Sequence, residues 1–151
     1  MSMQTIPDFS LPATGGVLFQ SRKLKRKLLI LFFYPKDNTP GCTTEAVQFR
    51  DHFPEFQALQ CDVFGISRDR LKAHENFKAK LELPFELLSD TEEVACQLFD
   101  VIKMKNLYGK QVRGIERSTF LFDQHGKLLQ EWRGVKAAKH VPEVLEFLGS
   151  L

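Results

Sequence analysis

Seven consecutive apolar residues, Leu28 to Tyr34, constrain this chain more than any other stretch of it. A strand with one wet face alternates polar and apolar side chains, whereas an unbroken apolar run needs cover on both faces. The run is far short of the ~20 residues of a membrane span, so it reads as the central strand of a covered sheet. Helical cover follows it. Ala46, Phe49, Phe53 and Phe56 keep the three-and-four spacing of one buried helix face. Pro54 lacks a backbone donor and predicts a kink or a restart there. Further on, Cys61 to Ile66 reads as a strand, about Arg70 to Leu81 as a helix and Pro84 to Leu88 as a strand. Thr91 to Phe99 reads as a helix capped by Ser89 or Asp90. Arg117 to Phe122 and Lys127 to Trp132 pair around His125-Gly126, and Val141 to Leu148 closes as an amphipathic helix. Upstream, Asp8 to Gln20 makes two short strands around Gly15-Gly16. The pattern predicts an α/β fold, a mixed central sheet flanked by helices, with an N-terminal β-hairpin.

A chain of 151 residues fits one domain, residues 1–151. Its net charge of +2 is too even for binding to nucleic acid or an anionic membrane by bulk charge. The basic run Ser21 to Lys27 reads as a solvated connection ahead of the buried strand. The first residues lack the basic and apolar regions of a signal peptide, and the expected location is the cytoplasm. No Gly-x-Gly-x-x-Gly follows a strand, so a dinucleotide cofactor is unsupported. Cys42, Cys61 and Cys96 form no Cys-x-x-Cys pair, and His52, His74, His125 and His140 form no pair at ligand spacing. No metal and no organic cofactor is expected. The three cysteines are then structural thiols, a reactive thiol, or both.

One segment carries chemistry: Tyr34-Pro35-Lys36-Asp37-Asn38-Thr39-Pro40-Gly41-Cys42-Thr43-Thr44-Glu45. Thr39 suits a helix N-cap and Pro40 the first helical position. Cys42 then falls in the first turn, where free backbone N–H groups and the positive end of the helix dipole favour a thiolate. A small buried hydrophobe at a helix start would read the same way.

The run Pro35-x-x-x-Thr39-x-x-Cys42 resembles the active-site motif of the peroxiredoxins. Its fuller form, Tyr34 to Asp37 and Thr39 to Thr43, is similar to the peroxiredoxin Q or bacterioferritin comigratory protein subfamily. The likeness continues through Phe64 to Ser67, Leu88 to Asp90, Gly109-Lys110 and Gly114 to Phe120. It implies a thioredoxin-like fold and a thiol-dependent peroxidase acting on hydrogen peroxide and organic hydroperoxides. Cys42 would be the peroxidatic nucleophile that becomes a sulfenic acid. Thr39 would orient the peroxide, Pro35 would keep water from the pocket, and Arg117 would place a permanent positive charge beside the sulfur. Glu45, one turn beyond Cys42, would oppose the thiolate unless paired, and Arg117 is the expected partner.

The subfamily often carries a resolving cysteine five residues after the peroxidatic one, and here that position is Val47. Others place it in the helix after the next strand, but Arg70 to Leu81 has none. Cys61 reads as structural, which leaves Cys96 as the candidate resolving residue. The reading preferred over resolution by Cys96 is a one-cysteine cycle, in which an external donor, a thioredoxin, a glutaredoxin or glutathione, attacks Cys42 directly. A monomer is expected. Two competing classes are a thioredoxin-fold binding, holdase or redox-sensing module, and a disulfide reductase. The second would need a cysteine where Thr39 stands. The joint presence of Pro35, Thr39, Cys42 and Arg117 favours catalysis.

Overall fold

The structure, a computed structural model, describes residues 3–151. Strand β3 (Leu28–Phe33) lies in the interior of a seven-stranded mixed sheet, and every one of its residues is buried. Parallel to it runs β4 (Cys61–Ser67), followed by β5 (Leu87–Ser89). On the other side β8 (Ser118–Asp123) and β9 (Leu128–Arg133) continue the sheet antiparallel. The N-terminal hairpin, β1 (Ser10–Ala13) and β2 (Val17–Gln20), adds the far edge through an antiparallel pairing of β1 with β5. Gly15 and Gly16 both take positive φ in the connecting turn, a conformation that side chains with a Cβ rarely adopt. The expected fold class is the observed one.

The two faces of β3 bury into separate cores, as a two-residue period requires. Ile30, Phe32 and Tyr34 pack with Phe49, Phe56 and Val144 on one face. Phe32 stacks on Phe49 at 4.5 Å. Leu29, Leu31 and Phe33 pack with Phe99, Phe120 and Phe122 on the other. Helix α1 (Pro40–Asp51) leaves the carboxyl end of β3 and returns over the first face. Pro54 restarts rather than kinks it: α2 (Phe53–Ala58) begins after a break at His52. Helix α3 (Leu71–Leu81) and α5 (His140–Gly149) also cover this side.

Three local expectations need correction. The strand expected from Pro84 begins only at Leu87 and reaches Ser89, so Ser89 is not a cap. Helix α4 spans Val94–Leu98, shorter than Thr91 to Phe99, because Glu93 turns left-handed ahead of it. Asp90 caps it, accepting the backbone N–H groups of Val94 at 2.7 Å and Cys96 at 2.8 Å. The sequence also hid a hairpin, β6 (Ile102–Leu107) and β7 (Lys110–Ile115), which turns at Tyr108-Gly109. Most of its residues face solvent, so no apolar alternation marks it.

Candidate active site

The chain delivers Cys42 to the carboxyl end of β3, three residues into α1. Thr39 occupies the N-cap with extended backbone, and Pro40 opens the helix. Its hydroxyl does not cap: Oγ1 donates to the Lys36 carbonyl at 2.8 Å, inside the loop that leads to the helix. Cys42 is 2% exposed.

Arg117 arrives from the neighbouring strand. Phe33 pairs with Ser118, so the residue before β8 stands at the same sheet end as the start of α1. The backbone around it is fixed. The Glu116 N–H donates to Val101 at 2.7 Å, and the Arg117 carbonyl accepts from Val135 at 3.1 Å. From there Nη2 points at Cys42 Sγ, 3.4 Å away, and Nη1 donates to Glu45 Oε1 at 2.7 Å. One guanidinium therefore bridges the sulfur and the carboxylate, the pairing that the sequence called for. Burial alone would lower the arginine's affinity for its proton, but Glu45 and Cys42 outweigh this and hold it charged. Glu45 is fully buried, and burial pushes its carboxyl up to about 7 against the pull of Arg117. Its second oxygen, Oε2, has no hydrogen-bond partner.

Two contributors escaped the sequence reading. Gly41 is one: a Cβ there would lie 3.1 Å from Arg117 Nη2, so a bare backbone lets the guanidinium reach the sulfur. Lys105 is the other. Its Nζ donates to the Ile115 carbonyl, and burial, then Arg117, lowers its pKa. Nothing in the sequence marks either one, because both depend on where β8 and the β6–β7 hairpin approach α1.

The remaining cysteines lie elsewhere. Cys61 opens β4 opposite Leu28, at the far end of the sheet from Cys42. At ~3.3 Å per residue, the length of β3 alone separates the two by roughly 17 Å. Burial pushes its thiol up to about 12. Cys96 is fully buried with Phe33, Phe99 and Phe120, across the sheet from the core that holds Cys42. Burial, then Asp90, raises its thiol as well. A cavity of about 250 Å³ between Phe19, Leu24, Leu28 and Phe64 lies at the Cys61 end and contains none of the Cys42 group.

A cysteine in the first helical turn after the central strand, bridged by an arginine to a buried carboxylate, is the arrangement expected of a thiol-dependent peroxidase on a thioredoxin-like scaffold. Residues 3–131 match the AhpC/TSA family. The chain belongs to that family and is a peroxiredoxin of the Bcp, or peroxiredoxin Q, type. It is 49% identical over 141 residues to the peroxiredoxin Bcp of Xanthomonas campestris pv. campestris, covering 93% of this chain and 88% of that protein. Peroxiredoxin Bcp of Bacillus subtilis is 47% identical over 145 residues, 96% of this chain and 92% of that protein. A solved structure of the Xanthomonas campestris bacterioferritin comigratory protein, studied for alkyl peroxide reduction, superposes with a TM-score of 0.88 at 47% identity. That match covers 94% of this chain and 90% of the other. Among the described residues, no helix is long and apolar enough to cross a membrane.

Proposed function

We propose that Cys42 is the peroxidatic residue of this enzyme and that the cycle uses no second cysteine of the chain. The observation that carries the first half is the Arg117 bridge, 3.4 Å to the sulfur and 2.7 Å to Glu45. The helix start and the guanidinium both favour the thiolate, the form that attacks. The thiolate takes the terminal oxygen of R–O–O–H. The S–O bond forms as the O–O bond breaks, leaving Cys42 as a sulfenic acid. The departing alkoxide accepts the proton that the thiol gave up, so the products are Cys–S–OH and ROH. With its only hydrogen committed to the Lys36 carbonyl, the Thr39 hydroxyl offers lone pairs, which suit it to accept the peroxide O–H. Arg117 stabilises charge on both oxygens as the bond stretches. Pro35, half-buried in the same loop, restricts water. The alkyl peroxides of the Xanthomonas campestris relative and hydrogen peroxide are the substrates we assign here.

The second half follows from where the other thiols lie. A disulfide needs Cα atoms within about 7 Å, and Cys96 sits behind the central sheet. An external thiol therefore attacks the sulfenic sulfur and releases water, giving a mixed disulfide. A second thiol equivalent frees Cys42 and leaves as the oxidised donor. A thioredoxin, a glutaredoxin or glutathione supplies such thiols. The chain works as a monomer in the cytoplasm on this reading. The test is turnover: Cys42→Ser is expected to abolish peroxide consumption with each donor, while Cys61→Ser and Cys96→Ser retain it. Peroxide turnover by Cys42→Ser at the parent rate would refute the assignment.

A further inference from the structure

Beneath the loop from Tyr34 to Thr39 lies a buried polar network that the chemistry above leaves unused. His74 on α3 is fully buried, with Nε2 2.9 Å from the Leu88 carbonyl and Nδ1 2.7 Å from Asp37 Oδ2. A carbonyl oxygen has only lone pairs, so Nε2 carries a proton. The Nδ1–Oδ2 contact holds one more, and imidazolium with carboxylate or imidazole with carboxylic acid both keep the hydrogen bond. Asp37 Oδ1 accepts from the Tyr34 hydroxyl at 2.6 Å, and burial, then Asp37, keeps that phenol well above the usual tyrosine range. The Asp37 backbone N–H donates to Asp69 Oδ2 at 2.8 Å. Asp69 is itself fixed: the Ser67 hydroxyl donates to the same oxygen, and Ser89 Oγ donates to its carbonyl at 2.7 Å.

One loop residue is thus tied to α3, to the end of β4 and to β5. Pro35 is two residues before it and Thr39 two after it. Asn38 between them takes a left-handed φ of 65° and reverses the chain towards the helix. Displacing Asp37 would carry both with it. Cys42 and Arg117 hang from α1 and the start of β8 instead. The alternative use of Asp37, Asp69 and His74, whose ligand atoms lie within 4.8 Å of one another, is a metal site, but each already bonds within the protein.

We propose that His74 is a positioning residue for peroxide reduction: through Asp37 it holds the Pro35–Thr39 loop over Cys42. This rests on the assignment of Cys42 as the peroxidatic residue. The two sets of groups give it a distinct signature. A loosened loop should slow reaction with peroxide, which needs Thr39 and Pro35 in place. Alkylation by iodoacetamide needs the thiolate and access to a sulfur that is 2% exposed, and a loosened loop takes away neither.

The experiment measures both rates at Cys42 by peptide mass, in single turnovers of the reduced protein. His74→Phe keeps the bulk and removes both hydrogen bonds. It should lower the hydrogen peroxide rate by about tenfold or more, with alkylation slowed by less than about twofold or made faster by the freer access. Asp37→Asn should stay within about threefold of the parent, because its amide can donate to Nδ1 of a neutral imidazole and still accept from Tyr34. Asp37→Ala should repeat the selective loss, and it decides the matter if His74→Phe does not fold. A parent peroxide rate in His74→Phe, equal rates in Asp37→Ala and Asp37→Asn, or parallel losses of peroxide and iodoacetamide reactivity would each overturn the inference. No oxidation at Cys42 in the parent protein would instead overturn the assignment beneath it.

Discussion

Glu45 gives the sharpest quantitative expectation, because a fully buried carboxylate leaves its mark on stability against pH. Burial moves its carboxyl from 4.5 in an open chain to about 7 in the fold, even with Arg117 at 2.7 Å. Between those values the folded chain holds a proton that the unfolded chain has already released. Stability therefore falls as pH rises through this window, and the loss is complete above the folded value. Each pKa unit corresponds to about 1.4 kcal/mol, so the whole effect is about 3 kcal/mol. Glu45→Gln removes the titration and keeps the shape, and its amide oxygen can still accept from Arg117 Nη1. Replacing the charge adds an offset in stability that does not vary with pH. The slope carries the information. Denaturant unfolding of the reduced protein at several pH values from about 4 to 8 reads it directly. The variant should gain about 3 kcal/mol on the parent across that range. Parallel stability curves would show that Glu45 titrates in the fold as it does in the open chain, and the argument from burial would be wrong.

Three further substitutions probe the site. Arg117→Lys keeps a charge but cannot span Cys42 and Glu45 with one planar group, so peroxide oxidation should slow by about tenfold or more while the protein stays folded; an unchanged rate would reduce Arg117 to a surface charge. Gly41→Ala puts a methyl 3.1 Å from Arg117 Nη2 and should slow the same step by displacing the guanidinium, with the circular dichroism spectrum unaltered; a parent rate would mean that the guanidinium yields without consequence. Phe49→Ala opens a cavity beneath Phe32 and should cost about 3–5 kcal/mol in denaturant unfolding; a cost below about 1 kcal/mol would contradict the packing described for that face.

Much of this was legible because burial writes itself into side-chain type. Leu28 to Tyr34 betrayed the central strand, and the spacing of Phe49, Phe53 and Phe56 its helical cover, which the structure divides between α1 and α2. The candidate site segment stood out for a related reason: Thr39, Pro40 and Cys42 lie close together in sequence and share one helix start. The partnership of Glu45 with Arg117 followed from charge, since a carboxylate beside a thiolate needs a cation. Contacts across the fold left weaker traces. Most residues of the β6–β7 hairpin face solvent, so it has no apolar period. Gly41 looks like any turn residue until Arg117 is placed beside it. His74 reads as one polar residue on a helix, and only the fold shows that its face is buried against Asp37 and Leu88. The separation of Cys96 from Cys42 is likewise a property of the sheet between them.

The central claim, that Cys42 alone in this chain performs the oxidation and is relieved from outside, has a direct test. Reduced protein receives one equivalent of hydrogen peroxide, with and without a sulfenic-acid trap, and intact and peptide masses are recorded. The account predicts a trapped adduct on the Cys42 peptide, with Cys61 and Cys96 recovered as thiols. A loss of two hydrogens that maps to a Cys42–Cys96 peptide, and that Cys96→Ser removes, would contradict it.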